Sequence, residues 1–312
     1  MSGFSHYSVL LEESVDLLEV KPDGVYVDCT LGGGGHSECL ARRLSEQGRV
    51  IAIDRDTDAL AAAQERLAPF GDRFVFVHDN FANLASIVKE AGFPAVDGVI
   101  MDLGVSSYQL DTPERGFSYH HDAPLDMRMD RRDALSAYEV VNNYTQEELT
   151  RILFAYGEER NAPKISRAIC RAREQAPIAT TLELAEIIKS AFSAKERLEG
   201  KHPARRSFQA IRMEVNQELA VIPRAIEAAV QALKPGGVIS IITFHSLEDR
   251  AVKEAFRQYS NGCTCPADFP VCVCGFVPTL ELINRKPILP SEKENQENSR
   301  SRSAKLRGAK KL

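Results

Sequence analysis

Residues 28 to 37 read Asp28-Cys29-Thr30-Leu31-Gly32-Gly33-Gly34-Gly35-His36-Ser37 and follow the apolar run Gly24-Val25-Tyr26-Val27. A strand that runs into consecutive glycines and then a helix lets backbone press against a nucleoside-bearing ligand, because no Cβ stands in the way. The next apolar run, Val50 to Ile53, ends at Asp54. An acid at a neighbouring strand tip is placed to hold ribose hydroxyls.

The dinucleotide fingerprint Gly-x-Gly-x-x-Gly fails in both registers, since its last position falls on Ser37 or on Glu38. Asp28, just before the glycines, is unwelcome beside a phosphate and suits a cationic amino-acid ligand. S-adenosyl-L-methionine, with its ammonium and sulfonium, meets that description. A bare structural turn would need one or two glycines rather than four.

The elements that must position these residues alternate. Apolar strands are expected at 25–28, 49–53, 73–77 and 96–101, with amphipathic stretches such as His36–Leu44 and Asp58–Leu67 between them. Short apolar strands alternating with helices imply a parallel sheet covered on both faces. Leu233-Lys234-Pro235-Gly236-Gly237 reads as the end of a helix, and Val238 to Phe244 as a further buried strand. The interval from Asp102 to Val238 is far longer than one crossover helix needs. Helical patterns at 136–141, 145–156, 163–174, 181–191 and 208–219 mark it as an insertion. The expected division is therefore 1–104 with 213–312 as an α/β sheet domain, and 105–212 as an inserted helical domain. Pro290–Ser303 is polar and expected to be loosely ordered in part.

The chain has 312 residues, 44% hydrophobic and 27% charged, with a formal charge of −5. These values are ordinary for a soluble globular protein. No apolar run is long enough to span a bilayer, and the N-terminus has no export signal, so a cytoplasmic protein with reduced thiols is expected. Net acidity argues against nucleic acid, but distribution argues for it. Lys164, Arg167 and Arg171 share one helix face, Lys201 to Arg212 forms a second basic cluster with Arg205 and Arg206, and Arg300 to Lys311 a third. Any one run alone would read as a solvated face, whereas three suggest a footprint for RNA.

The chain resembles the bacterial family of 16S ribosomal RNA cytosine-N4 methyltransferases. The resemblance is carried by Gly34-Gly35-His36-Ser37, Ala52-Ile53-Asp54-Arg55-Asp56 and Asp102-Leu103-Gly104-Val105-Ser106-Ser107 with Gln109-Leu110-Asp111. It continues through Arg115-Gly116-Phe117-Ser118, Pro124 to Asp130, Tyr156 to Arg160, His202 to Ala210, Phe244 to Arg250 and Arg302 to Arg307. It implies a Rossmann-like class I methyltransferase sheet with an inserted helical domain, S-adenosyl-L-methionine as cofactor, and transfer to a decoding-region cytidine in the small ribosomal subunit. Cofactor contacts would fall on Gly34, Gly35, His36, Asp54, Phe81, Asp102 and Gln109.

Asp102, at the expected carboxyl end of the fourth strand, is the candidate acceptor for the cytosine amine hydrogens. The alternative is that it only positions cofactor. The Asp-Leu-Gly-Val string lacks the aromatic that many amino-methyltransferases stack on the base, leaving Tyr108, Phe117 and Phe244 as candidates. His245 could contact substrate or merely cap the following helix. Cys263-x-Cys265 and Cys272-x-Cys274 read as four reduced thiols in a surface loop, with a structural zinc as the alternative, since zinc pairs usually carry longer spacers. A homodimer stays open. A dinucleotide-linked oxidoreductase and an assembly factor with a relic cofactor site are the competing readings.

Overall fold

The computed structural model describes residues 8–198, 202–263, 265 and 273–312; Lys201 and Cys272 lie outside them. Within these residues the chain forms two compact units, 1–104 with 219–312 and 105–218.

The first unit is built on one seven-stranded sheet. Its strands are β1 (Val25–Asp28), β2 (Arg49–Asp54), β3 (Phe74–His78), β4 (Val96–Asp102), β5 (Leu233–Thr243), β6 (Leu280–Leu282) and β7 (Lys305–Lys311). They lie in the order β3-β2-β1-β4-β5-β7-β6, parallel from β3 to β5 and antiparallel where β7 joins β5 and β6. The apolar runs Val50–Ile53 and Val99–Met101 are fully buried, as strands covered on both faces must be. One face packs Val27, Ile51, Val99 and Ile239 against Ile87, Ile226 and Val252. Tyr26, Val50 and Ile100 meet Val15, Leu40 and Leu44 in a separate cluster.

β5 starts earlier than the Pro-Gly-Gly turn implies. Leu233 pairs with Val96, the register then shifts, and the Lys234–Gly237 stretch bulges with Gly236 at φ +79°. Asp97 ties this corner together, accepting from Lys234 Nζ at 2.7 Å, Lys21 Nζ at 3.1 Å and the Val25 N–H at 3.0 Å.

The chain's end departs most from the sequence expectation. Pro290–Ser303 is not loosely ordered: it holds the helix Glu292–Glu297, capped by Ser291, and Glu294 accepts the Leu10 N–H at 2.8 Å. The basic tail is strand β7. Lys305 and Arg307 bind Asp249 at 3.0 and 2.6 Å, and Lys311 Nζ donates to the carbonyls of Val230 and Leu233. These cations hold the tail in the sheet.

The second unit contains the helices Ala137–Asn143, Gln146–Ala155, Ala162–Arg173, Thr181–Ser190 and Ala204–Asn216. Thr145 with Glu148 and Thr180 with Glu183 form capping boxes, which satisfy orphan amides at two helix starts. Val140, Leu149, Ile152, Ile165, Ile169, Leu184 and Phe208 make the core. The last helix starts earlier than expected and ends at Asn216, after which Gln217 turns at φ +51°. The return to the sheet therefore follows 218 rather than 212. Arg115 is buried, donating to the carbonyls of Arg128 and Met129, and Asn216 binds the Met129 N–H and the Met127 carbonyl. The Arg115 and Met127–Met129 strings thus build the unit's interior. No helix among the described residues is long and apolar enough to cross a membrane.

Candidate active site

The strand register brings three carboxylates to neighbouring tips. Asp28 ends β1 opposite Ala52 and Ile100, so Asp54 and Asp102 extend beyond it on either side. In an open α/β sheet the carboxyl ends beside such a switch in strand order are where ligands bind.

Asp54 is held by the glycine loop: the Gly32 N–H donates to Oδ2 at 2.8 Å and the Asp56 N–H to Oδ1 at 2.9 Å. Asp28 accepts from Ser37 Oγ at 2.7 Å and the Thr30 N–H at 3.1 Å. Burial pushes both carboxyls up to about 6 against these hydrogen bonds, and Asp28 adds repulsion at Asp54. Asp102 is pushed well above the usual carboxylate range, first by burial and then by Asp28 and Glu248. Its backbone N–H donates to Thr30 Oγ1 at 2.6 Å, Oδ2 lies 3.9 Å from His36 Nδ1, and the buried Oδ1 has no hydrogen-bond partner among the described residues. His36 Nε2 donates to the Val9 carbonyl at 3.2 Å, which fixes the ring.

The two singled-out glycines do different work. Gly34 takes φ +77° as the left-handed N-cap of the helix Gly35–Arg43. An added Cβ on Gly35 would stand 1.9 Å from Ser8 Oγ, so its close approach is to this chain. Phe81 opens a short turn capped by Asn80, with its ring half-buried against the sheet core.

His245 is a cap. Its Nδ1 accepts the Glu248 N–H at 3.3 Å while Glu248 Oε2 accepts the Phe244 and His245 N–H groups. His245 Nε2 sits 3.1 Å from Glu248 Oε1 without hydrogen-bond alignment. Glu248 is 1% exposed and adds to the negative potential at Asp102. Thr30, Ser37 and Glu248 were not singled out from sequence; only the spacing of His245 to Glu248, a helix-start pattern, could have pointed to one of them.

Gln109 belongs to the second unit, where its side chain and Ser106 form a capping box. Phe117 is 6% exposed in that unit's core, which removes it as a base-stacking ring, whereas Tyr108 is 42% exposed. Phe244 packs partly buried beside Ile242 and Leu306. Lys164, Arg167 and Arg171 line the exposed face of Ala162–Arg173, opposite Ile165 and Ile169. Arg173 turns inward to the carbonyls of Val141 and Tyr144. Arg205 and Arg206 are exposed, Arg206 reaching the Glu158 carbonyl at 3.2 Å, while Arg212 is tied to Glu218 at 2.8 Å.

A cluster of buried acids makes a pH prediction. A raised native carboxyl binds its proton more tightly than the unfolded chain does. Its stability contribution is therefore complete below the ordinary value of 3.8 and is lost as pH rises through about 6. Asp28→Asn, which carries no charge, should gain on the wild type by about 2 kcal/mol between pH 4 and pH 7. Denaturant unfolding of both proteins across that range reads the difference, and a pH-independent difference would refute the burial of a charged Asp28.

Sequence comparison places these features in one family. A model of the MraW methylase family matches residues 3–312. "Ribosomal RNA small subunit methyltransferase H" of Clostridium botulinum (strain 657 / Type Ba4) is 57% identical over 99% of this chain and 99% of its own. The protein of that name from Carboxydothermus hydrogenoformans is 57% identical over 99% of this chain and 98% of its own. Among solved structures, an rRNA methylase from Streptococcus thermophilus aligns over 99% of both chains with a TM-score of 0.45 at 15% identity, too distant to bear on function. The sheet itself is open and parallel from β3 to β5, with β7 antiparallel between β5 and β6. With the acidic strand tips, the glycine loop and a match over nearly its whole length, the chain belongs to the MraW methylase family.

Proposed function

We propose that this protein transfers a methyl group from S-adenosyl-L-methionine to the exocyclic N4 amine of a cytidine in the decoding region of 16S ribosomal RNA, within the small ribosomal subunit. The observation that carries the reading is the trio Asp28, Asp54 and Asp102, with Asp102 Oδ1 buried and lacking a partner among the described residues. Such a site repels phosphate and attracts a cation, which suits a ligand with an ammonium and a sulfonium and opposes a dinucleotide. The name shared by the relatives, ribosomal RNA small subunit methyltransferase, supports the substrate class.

When bound, S-adenosyl-L-methionine supplies an electrophilic methyl group on sulfur. Asp54, oriented by the Gly32 and Asp56 amides, accepts from ribose hydroxyls, and Phe81 offers a half-buried ring to adenine. Positive charge beside Asp102 draws its raised carboxyl back to the ionised form. Ionised, Asp102 accepts hydrogen from the cytosine amine. That favours a pyramidal nitrogen with a free lone pair and stabilises the positive charge that develops there. Gly34 sets the backbone of the loop, and His36, pinned by Val9, keeps its Nδ1 toward Asp102.

The substrate is a polyanion, and the exposed cations of the second unit are the groups to meet it. Lys164, Arg167 and Arg171 on one helix, with Arg205 and Arg206 on another, provide sequence-independent attraction to phosphates. Of Tyr108, Phe117 and Phe244, Tyr108 is the exposed ring available for a base. Within the tail, Lys305, Arg307 and Lys311 are withdrawn from this set, because they have protein partners.

The test is transfer of labelled methyl to small subunits from cells lacking the protein, with the modified cytidine mapped by mass. Asp102→Asn should bind cofactor and lose about 10²-fold or more in single-turnover rate at saturating cofactor. A near-normal rate there would leave Asp102 a positioning role only, and binding without any transfer by the wild type would favour the assembly-factor reading. Asp54→Ala should weaken cofactor binding by roughly 1–3 kcal/mol in calorimetry; unchanged affinity would sink the ribose assignment. Neutralising Lys164, Arg167 and Arg171 together should lower the salt slope of subunit binding by about 2–3 without changing cofactor affinity, and an unaltered slope would return that face to solvent.

A further inference from the structure

The connection between the helix Ser246–Ser260 and β6 carries a group of side chains that the methyl-transfer chemistry does not use. The sulfurs of Cys263, Cys265 and Cys274 lie within 4.8 Å of one another. We propose that these three thiolates bind a structural zinc ion.

The spacing of the sulfurs carries the argument. Cys263 and Cys274 are 3.7 Å apart at Sγ. A tetrahedral zinc with Zn–S bonds of about 2.3 Å sets neighbouring sulfurs about 3.8 Å apart, whereas a disulfide would bring them to about 2.05 Å. The Val273 N–H lies 3.3 Å from Cys265 Sγ, and a backbone donor to sulfur favours the thiolate that a metal needs. The ligand set holds no carboxylate, and sulfur donors select zinc over magnesium or calcium.

The backbone around the cysteines is shaped for a tight approach. An added Cβ at Gly262 would stand 2.4 Å from the Gln258 carbonyl, so only glycine lets the chain leave the helix and enter Cys263 there. Gly275, directly after Cys274, takes φ +68°, which turns the chain sharply at the far side of the cluster. The one-residue spacer of Cys263-x-Cys265 departs from the usual zinc pair, but Cys274 approaches from a different turn of the chain and supplies the third corner. Cys272, the remaining thiol of the sequence, lies outside the described residues and has no assigned part.

The place of the cluster makes the ion structural rather than catalytic. The helix Ser246–Ser260 starts at the carboxyl end of β5, beside Glu248 and Asp102, and its 15 residues carry the chain about 22 Å away. At its far end Thr279 donates to the Tyr259 carbonyl, and β6 then pairs with β7. A metal at the cysteines would anchor the segment that delivers β6 to the sheet edge. Each cysteine enters as thiolate, so binding releases the thiol protons to solvent and strengthens as pH rises.

The test uses the full-length protein, prepared anaerobically with its thiols reduced and counted, then titrated with Zn2+ against a chromophoric chelator and separately with Co2+. The expected result is one tightly held zinc per chain, and a Co2+ adduct with sulfur-to-metal charge transfer in the near ultraviolet and tetrahedral d–d bands. Cys263→Ser and Cys274→Ser should each weaken zinc binding by about tenfold or more, while Cys170→Ser, in the other unit, should not. Absence of stoichiometric zinc in the wild type, or a Co2+ spectrum without the thiolate band, overturns the proposal even if a variant misfolds. So does equal zinc binding by the wild type and the Cys263→Ser protein.

Discussion

Carboxylates buried side by side repel one another and lose their hydration, and the sheet unit is organised around tolerating that. Asp28, Asp54 and Asp102 end up together because β1, β2 and β4 are neighbours and parallel, with Asp28 opposite Ala52 and Ile100. The Gly32, Thr30 and Asp56 amides and the Ser37 hydroxyl offset part of the cost at Asp28 and Asp54. Among the described residues, Asp102 receives no such donor at Oδ1. The cluster is thus destabilised by its own charge.

The loop before His36 serves that arrangement. Gly34 supplies a left-handed helix start, and Gly35 makes room for Ser8. His36 is then fixed from behind by the Val9 carbonyl. The residues just before the first helix and those just after β1 therefore form one packed assembly.

Charge is divided by position rather than by overall composition. A chain with a net charge of −5 gathers acids at the strand tips of one unit and exposes cations on helices of the other. Similar residues have different fates according to what surrounds them. Arg115 lies in an interior hydrogen-bonded to carbonyls, Arg307 secures an antiparallel strand to Asp249, and Arg167 and Arg171 face solvent. Only the exposed ones can add to phosphate attraction.

What the sequence determined by itself is mostly local. Unbroken apolar runs such as Val50–Ile53 have one stable use, a strand covered on both faces, and the structure places β2 there. The helices of the insertion follow from their period and from Thr-x-x-Glu starts, because both signals lie within a few residues. Asp54 and Asp102 could be placed at strand ends for the same reason. The tertiary structure decided which distant residues became neighbours. It made the basic tail a sheet strand, turned Phe117 inward and filled the space beside Gly35 with Ser8. Such pairings have no local signature, because they depend on packing and register between segments far apart in the chain.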